Sequence, residues 1–367
     1  MATITHPTFG VYEVETVVVD SQSSFTIACS PHRHAMPSNG GIRWSRYKTL
    51  SHQKDEAIML ASAMDLKHGF YRTGFSGGKI VVNSSALPDE APHVFDAIGE
   101  TLNRYAGSMY TGCDINTSSA HMTYLRKSTP WILDAMDSPQ ISTSIATGFG
   151  VWSALKAVLK CSPRVNGTPL VAIHGMGKVG FEVARQCLAH GYNVIGFDVK
   201  PIIDIPAGLR MLSEDDFWSS APDVLCIASL SRILDLPTVE RIRARWVISS
   251  SNTPFDSTQA EARLLARGVG YVPDYVSNAG AVICDSIERS FPDVFRGMTQ
   301  DQANHYTGAL IGTKTGELIK RAELLGCNIP TLLSRTYFHA GHDVNLGASR
   351  RHDPSIHATI DARSFAV

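Results

Sequence analysis

Excess charge is the first thing this sequence lacks. Its 33 Lys+Arg stand against 34 Asp+Glu in 367 residues, a formal net charge of −1. A near-neutral chain has no overall electrostatic pull on nucleic acid or an anionic membrane, so neither is expected as a partner. Ordered cysteine spacing is also missing. Seven cysteines (Cys29, Cys113, Cys161, Cys187, Cys226, Cys284, Cys327) are scattered, odd in number and never in C-x-x-C spacing. That argues against a disulfide framework or structural zinc and fits a reducing cytosol. None of the 14 histidines falls in metal-ligand spacing; His32/His34 and His339/His342 read as loop or surface residues, and no metal is expected. The opening MATITHPTFGVYEVETVVVD has no basic stretch followed by an apolar one, so no signal peptide is expected. No window approaches 18 uninterrupted apolar residues, the length a membrane helix needs. With 44% apolar and 18% charged residues, the chain has the means to build sizeable globular cores.

Three zones follow. Up to about residue 140 the pattern is mixed, with strand-like Thr16 to Val19, Ser24 to Ala28 and Lys79 to Val82, and helix-like Lys54 to Met64 and Pro92 to Tyr105. From about 150 to 280, short apolar strands alternate with helical stretches: Val171–Ile173, Val194–Phe197, Val224–Ile227, Trp246–Ile248 and Gly270–Val272. That rhythm predicts βα units and a parallel sheet covered on both faces. A long helix is expected around 279–291 and another from Ala309 to Leu325; the tail beyond about 340 yields no fold from pattern.

The strand Leu170 to Ile173 runs into His174-Gly175-Met176-Gly177-Lys178-Val179-Gly180 and then a helical stretch. This is G-x-G-x-x-G between strand and helix. Gly175 allows the tight turn, Gly177 lets backbone approach a pyrophosphate, and Gly180 allows close helix–strand packing. The helix start offers N–H groups to phosphate. The next strand ends in Asp198, an acid placed to accept ribose hydroxyls and repel a 2′-phosphate, which favours NAD over NADP. Lys200 keeps some NADP use open; a plain helix-capping carboxylate is the bland alternative for Asp198.

Met64-Asp-Leu-Lys67 to Gly74-Phe-Ser-Gly77-Gly78-Lys79 is the second informative stretch. Two lysines in one cleft depress each other's pKa, and desolvation adds to this, which would make one a base near neutral pH. Two solvated surface lysines are the alternative.

Six motifs, the Lys67–Lys79 spacing counted as one, carry a family resemblance. Gly40-Gly41-Ile42-Arg43 resembles G-G-T-R, and Gly77-Gly78-Lys79 resembles G-G-G-K, twelve residues after Lys67 and with Ser76 for the first glycine. Gly112-Cys113-Asp114-Ile115-Asn116-Thr117 resembles x-x-D-[VI]-[GN]-T, and Thr147 to Val151 resembles T-A-x-G-V. Pro273 to Gly280 resembles P-D-[FY]-x-x-N-A-G. Over roughly residues 35–290 the sequence therefore resembles the glutamate/leucine/phenylalanine/valine dehydrogenase family, especially its leucine and phenylalanine branch.

The resemblance implies an α/β enzyme of two domains around a cleft that closes on substrate. One is a mixed-sheet substrate and oligomerisation domain, residues 1–140, with about 310–367 returning to it. The other is a Rossmann-type NAD domain, 141–309. The implied reaction is reversible oxidative deamination of an L-amino acid to a 2-oxo acid and ammonia by a homo-oligomer, a dimer or higher. Lys67 would bind the substrate carboxylate, helped by Gly40 and Gly41. Lys79 would be the general base, aided by the nearby Lys67, and Asp114 would hold the amino group. Gly175 to Gly180 (with Met176, Lys178 and Val179), Asp198, Val199, Thr147, Ala228 and Ser229 would surround the cofactor. Asn252 and Asn278 are candidates beside the nicotinamide, although Thr253 departs from the family's second asparagine.

The side-chain pocket would be lined by Asn39, Gly112, Asn278, Val282 and Asp285. Glycine at 112 would make room for a larger group, and an acid and an amide facing an aliphatic chain would be left unpaired. A bulky or polar substrate, aromatic, indole-like or cationic, is therefore expected. A leucine/valine-type preference stays open, because Asp285 could instead pair with Arg289 one turn on. Two other classes also stay open: a related two-domain dehydrogenase of different chemistry, and a non-catalytic nucleotide-binding homologue.

Overall fold

The computed structural model describes residues 1–162 and 167–336; the expectations for His339, His342 and the tail lie outside them. The chain divides into two compact units. The described part of the first comprises Met1–Pro139 and Asp285–Met298; that of the second comprises 140–162, 167–284 and 299–336.

The first unit opens with β1 (Ala2–His6), β2 (Gly10–Val18), β3 (Ser23–Cys29), β4 (Ser38–Asn39) and β5 (Ile42–Ser45). Then come α1 (Leu50–Tyr71), β6 (Ser76–Ser84), α2 (Pro92–Tyr105), β7 (Met109–Tyr110) and α3 (Ser119–Leu125). Its sheet runs β1-β2-β3-β6-β4-β7, with β5 also on β6. The first four strands are antiparallel, whereas β4 and β5 pair with β6 in parallel, so the sheet is mixed. Alternation explains its two faces. Phe25, Ile27, Ile80 and Val82 point into a core shared with Val94, Phe95 and Ile98 of α2. Ala28 and Val81 point the other way, onto Ala57, Ile58 and Ala61 of α1. Thr49 caps α1, its hydroxyl accepting from His52 N–H at 3.2 Å.

The second unit holds α4 (Thr143–Cys161), β8 (Leu170–His174), α5 (Lys178–Ala189), β9 (Asn193–Phe197), β10 (Leu209–Met211) and α6 (Glu214–Ser219). It continues with β11 (Val224–Ile227), α7 (Leu236–Arg241), β12 (Trp246–Ser249), α8 (Thr258–Ala266), β13 (Gly270–Val272) and α9 (Asp274–Ser277). Its sheet is parallel throughout, in the order β10-β9-β8-β11-β12-β13. Numbered from β8, this is 3-2-1-4-5-6, the doubly wound order that places a switch point between β8 and β11. All five expected strands are present; β10 is additional.

Helix α10 (Gly280–Ser290) carries the chain across the unit boundary, and α11 (Pro292–Gly297) follows in the first unit. Helices α12 (Gln300–Leu324) and α13 (Ile329–Thr336) belong to the second. The sequence reading sent about 310–367 back to the first unit. In its described part, up to residue 336, that segment belongs to the second unit, where α12 packs along α4 with Gly308 against Phe149 and Ser153; 285–298 is the described segment that rejoins the first unit, and the rest of the expectation lies outside the described residues.

Candidate active site

In the first unit the charged centre is built on β6, β5 and the segment after β7. Lys79, on β6 and 3% exposed, places Nζ 2.8 Å from Asp114 Oδ2. Arg43, at the second residue of β5, donates Nε to the same oxygen at 2.9 Å and NH1 to Glu56 Oε1 at 2.7 Å. Burial pulls the Lys79 ammonium below its ordinary range; Asp114 opposes this and Arg43 adds to it. Burial works against charge on Asp114 too, but Lys79 and Arg43 outweigh it and hold the carboxyl well below the carboxylate range. Arg43 is thus a further cation on the Asp114 carboxylate beside Lys79. Arg43 and Glu56 were missed as members of the centre; the only signal was that Arg43 closes the Gly40-Gly41-Ile42-Arg43 motif.

Lys67 is 4% exposed near the end of α1. Two residues earlier, Asp65 fixes this helix to β6: its carboxylate accepts from Gly77 N–H and from the Tyr12 hydroxyl, the latter at 2.6 Å. Both lysines are therefore held on elements tied together by one buried acid. Gly40 packs so closely that a Cβ there would stand 1.7 Å from the Gly78 carbonyl oxygen, and one on Gly41 would stand 2.3 Å from that of Cys113.

Two residues chosen as side-chain-pocket candidates meet directly. Asn39 Nδ2 donates to Asp285 Oδ2 at 2.7 Å. Burial pushes the Asp285 carboxyl well above its ordinary range; Asn39 acts against this, while Glu288 and Asp134 add to it. The expected alternative partner, Arg289, instead donates to the Gly74 carbonyl at 3.3 Å and lies over Phe75. Behind Asn39, the His68 ring bridges its carbonyl and the Thr73 hydroxyl. Burial takes that imidazole down to about 3, so it is neutral. Gly112 has a packing reason for lacking a side chain, because a Cβ there would stand 2.3 Å from the Leu133 carbonyl oxygen. Room for a larger substrate is not needed to explain it.

In the second unit the glycine turn leaves β8 and enters α5. Gly175 has φ +96°, and a Cβ on it would strike Ser229 N at 2.6 Å, so Ala228 and Ser229 flank the turn. A Cβ on Gly180 would meet the Gly175 carbonyl oxygen at 2.0 Å, whereas one on Gly177 would meet nothing within 4 Å. Open space therefore lies over the first N–H groups of α5, where Gly177 and Lys178 are exposed and Val179 partly so. Such a helix start fits a pyrophosphate. Asp198 follows β9, its oxygens accepting from Met176 N–H at 2.7 Å and Lys200 N–H at 2.9 Å, so the acid is fixed against the turn. Val199 beside it is exposed.

Asn278 Nδ2 donates to the Ser250 carbonyl and lies 3.4 Å from Asn252 Oδ1, so the two expected asparagines form one cluster. Thr253 has φ +51°, a left-handed conformation that asparagine tolerates and a β-branched residue adopts only under strain. Thr147 Oγ1 accepts from Ala281 N–H at 3.0 Å at the start of α10. Val282, one residue on, is buried. Among the described residues, no group of three or more His, Cys, Asp or Glu could hold a metal ion. None of the described helices is long and apolar enough to cross a membrane.

These features define a two-unit α/β protein with a doubly wound nucleotide-type sheet. A family model described as Glutamate/Leucine/Phenylalanine/Valine dehydrogenase matches residues 198–306. The chain is 27% identical over 324 residues to a phenylalanine dehydrogenase of Caldalkalibacillus thermarum, covering 84% of this chain and 87% of that protein. It is 25% identical to a leucine dehydrogenase of Bacillus subtilis, covering 74% and 78%. The crystal structure of L-tryptophan dehydrogenase from Nostoc punctiforme shares the fold, with a TM-score of 0.67 and 22% identity over 88% of this chain and 93% of that one. Through this match and these relatives the chain is similar to the glutamate/leucine/phenylalanine/valine dehydrogenase family.

Proposed function

We propose that the protein is an NAD-dependent L-amino acid dehydrogenase that interconverts an L-amino acid with its 2-oxo acid and ammonia. The observation that carries this reading is the buried contact of Lys79 with Asp114. Bound NAD would supply the acceptor for the hydride leaving the substrate Cα. Lys67 holds the α-carboxylate beside the Gly40–Gly41 backbone, and Asp114 holds the amino group. Together they fix the Cα where hydride must leave. Lys79, as the free amine, takes a proton from the water that adds to the imino carbon and returns it to the departing nitrogen. One water is consumed, and ammonium and one further proton are released. Asp198 beside the glycine turn supports NAD over NADP.

For the side chain, we infer a bulky substrate with a polar donor, aromatic, indole-like or cationic, read by Asp285 with Asn39. A leucine- or valine-type preference is the second reading. It is favoured by one observation: Asn39 already occupies a carboxyl whose burial suppresses its charge. The protein works as a homo-oligomer in this reading. In support, β1 pairs only with β2 among the described strands, leaving an edge for a second copy. Steady-state kcat/KM over a panel of L-amino acids, with NAD and with NADP at alkaline pH, tests both parts. Ammonium with the matching 2-oxo acids tests the reverse direction.

A further inference from the structure

Away from Asp114, the first unit has a second basic site. A cavity of about 570 Å³ is lined by Arg33, Arg104, Arg289 and His34, with Glu15 as its one carboxylate. That size falls within the range of about 300–1,000 Å³ typical of small-molecule pockets.

Its walls are held in place. Arg33 donates NH1 to Ser108 Oγ at 2.6 Å and stands 5.1 Å from the Tyr105 ring centroid. Tyr105 and Arg104 donate to the two oxygens of Glu15, at 2.7 and 2.8 Å. Glu13, outside the cavity, pairs with Arg33. Two of the three guanidinium groups thus have a carboxylate partner. Arg289 has none among the described residues; it rests on Phe75 and Tyr110, 4.9 and 5.6 Å from their ring centroids. A guanidinium oriented by aromatic faces keeps a planar fork of donors suited to an oxyanion.

We propose that this cavity binds a small-molecule polyanion through paired oxyanion groups, phosphate or carboxylate, and that its occupation alters substrate affinity. The coupling has a short path. Arg289 lies one turn from Asp285 on α10, and Pro37, also in the cavity wall, lies two residues before Asn39. The cavity is thus backed by the two elements whose Asn39–Asp285 bond was described above. This proposal does not depend on which amino acid is the substrate.

Calorimetric titration of the full-length protein with pyrophosphate and with citrate, each against sodium chloride at matched ionic strength, tests it. Saturable binding of one anion per chain is expected, and the tighter of the two probes identifies the oxyanion source. Arg104→Gln should weaken that binding at least tenfold. Glu15→Gln, which removes the opposing charge but keeps an acceptor for Tyr105, should tighten it several-fold. Opposite shifts separate charge recognition from general damage, and melting curves of both variants check folding. No saturable binding of either probe, equal affinity in all three proteins, or weakening in both variants would overturn the site. Binding that leaves the substrate KM unchanged would overturn the coupling.

Discussion

Lys79 and Arg43 share one oxygen of Asp114, at 2.8 and 2.9 Å. The two cations act on each other through that carboxylate. Asp114 keeps Lys79 charged, and Arg43 works together with burial to discharge it. In the proposed mechanism, the base is thus set by one acid and one arginine with opposite effects.

Replacing Asp114 by Asn removes what opposes burial at Lys79. The pH–rate profile for deamination should then move its rising limb to lower pH, and kcat should fall by roughly 10²–10⁴, the usual scale for a lost proton-transfer partner. Steady-state rates between pH 7 and 11 measure both effects.

Arg43→Gln should act in the other direction on the same limb. Without the guanidinium, Lys79 keeps its proton to higher pH. Asp114 and Glu56 also lose a shared partner, so stability should drop by about 3 kcal/mol, the lower end for breaking a buried ion pair. A chevron or equilibrium denaturation curve reads the second part independently of activity.

Gly112→Ala should cost stability without narrowing the substrate range. The new Cβ meets the Leu133 carbonyl at 2.3 Å, and overpacking of this kind costs about 1–3 kcal/mol. A lowered Tm with unchanged ratios of kcat/KM across the amino-acid panel is expected.

Glu288 gives the fold a pH dependence of unusual sign. Its carboxylate accepts from Ala135 and Met136 N–H at 3.0 and 3.2 Å, yet burial raises it from the ordinary 4.5 to about 7. A carboxyl raised in the folded state binds more protons there than in the unfolded chain, so its share of stability is lost as pH rises between those two values. Glu288→Gln keeps an acceptor and removes the titration. The Tm of the wild type relative to that variant should therefore fall from pH 5 to pH 7, as measured by calorimetry.

On the proposed reading of Asp198 as the ribose acceptor, Asp198→Ser should weaken NAD and favour NADP in relative terms, since that acceptor is lost while Lys200 stays. Met176 N–H loses its partner as well, so the gain for NADPH should be smaller than the loss for NADH in fluorescence titrations.

Where the sequence carried its own periodicity, the fold was legible. Five of the six strands of the parallel sheet are apolar runs because both faces are covered, and α2 spans Pro92–Tyr105 as expected because proline starts it and Ala106 at φ +47° ends it. Strands β4 and β7 have two residues each, too short for alternation to register, and β10 (Leu209–Met211) is interrupted by Arg210, so no apolar run marks it. Asp114 and Lys79 could be singled out from motifs, but the Arg43–Glu56 support joins β5 to α1, and nothing local in either segment marks that pairing. The same holds for Asn39 with Asp285, which are 246 residues apart. The packing constraint on Gly112 was hidden for a related reason: its missing Cβ answers to the carbonyl of Leu133, which belongs to another segment.

The most direct test of the dehydrogenase reading is NADH formation by purified protein offered each of the twenty L-amino acids, with ammonia and 2-oxo acid measured alongside. The account predicts that at least one amino acid yields NADH, ammonia and its 2-oxo acid in equal amounts, and that Lys79→Ala abolishes this while NADH still binds. No NADH from any of the twenty, in a protein that binds NADH, would contradict it.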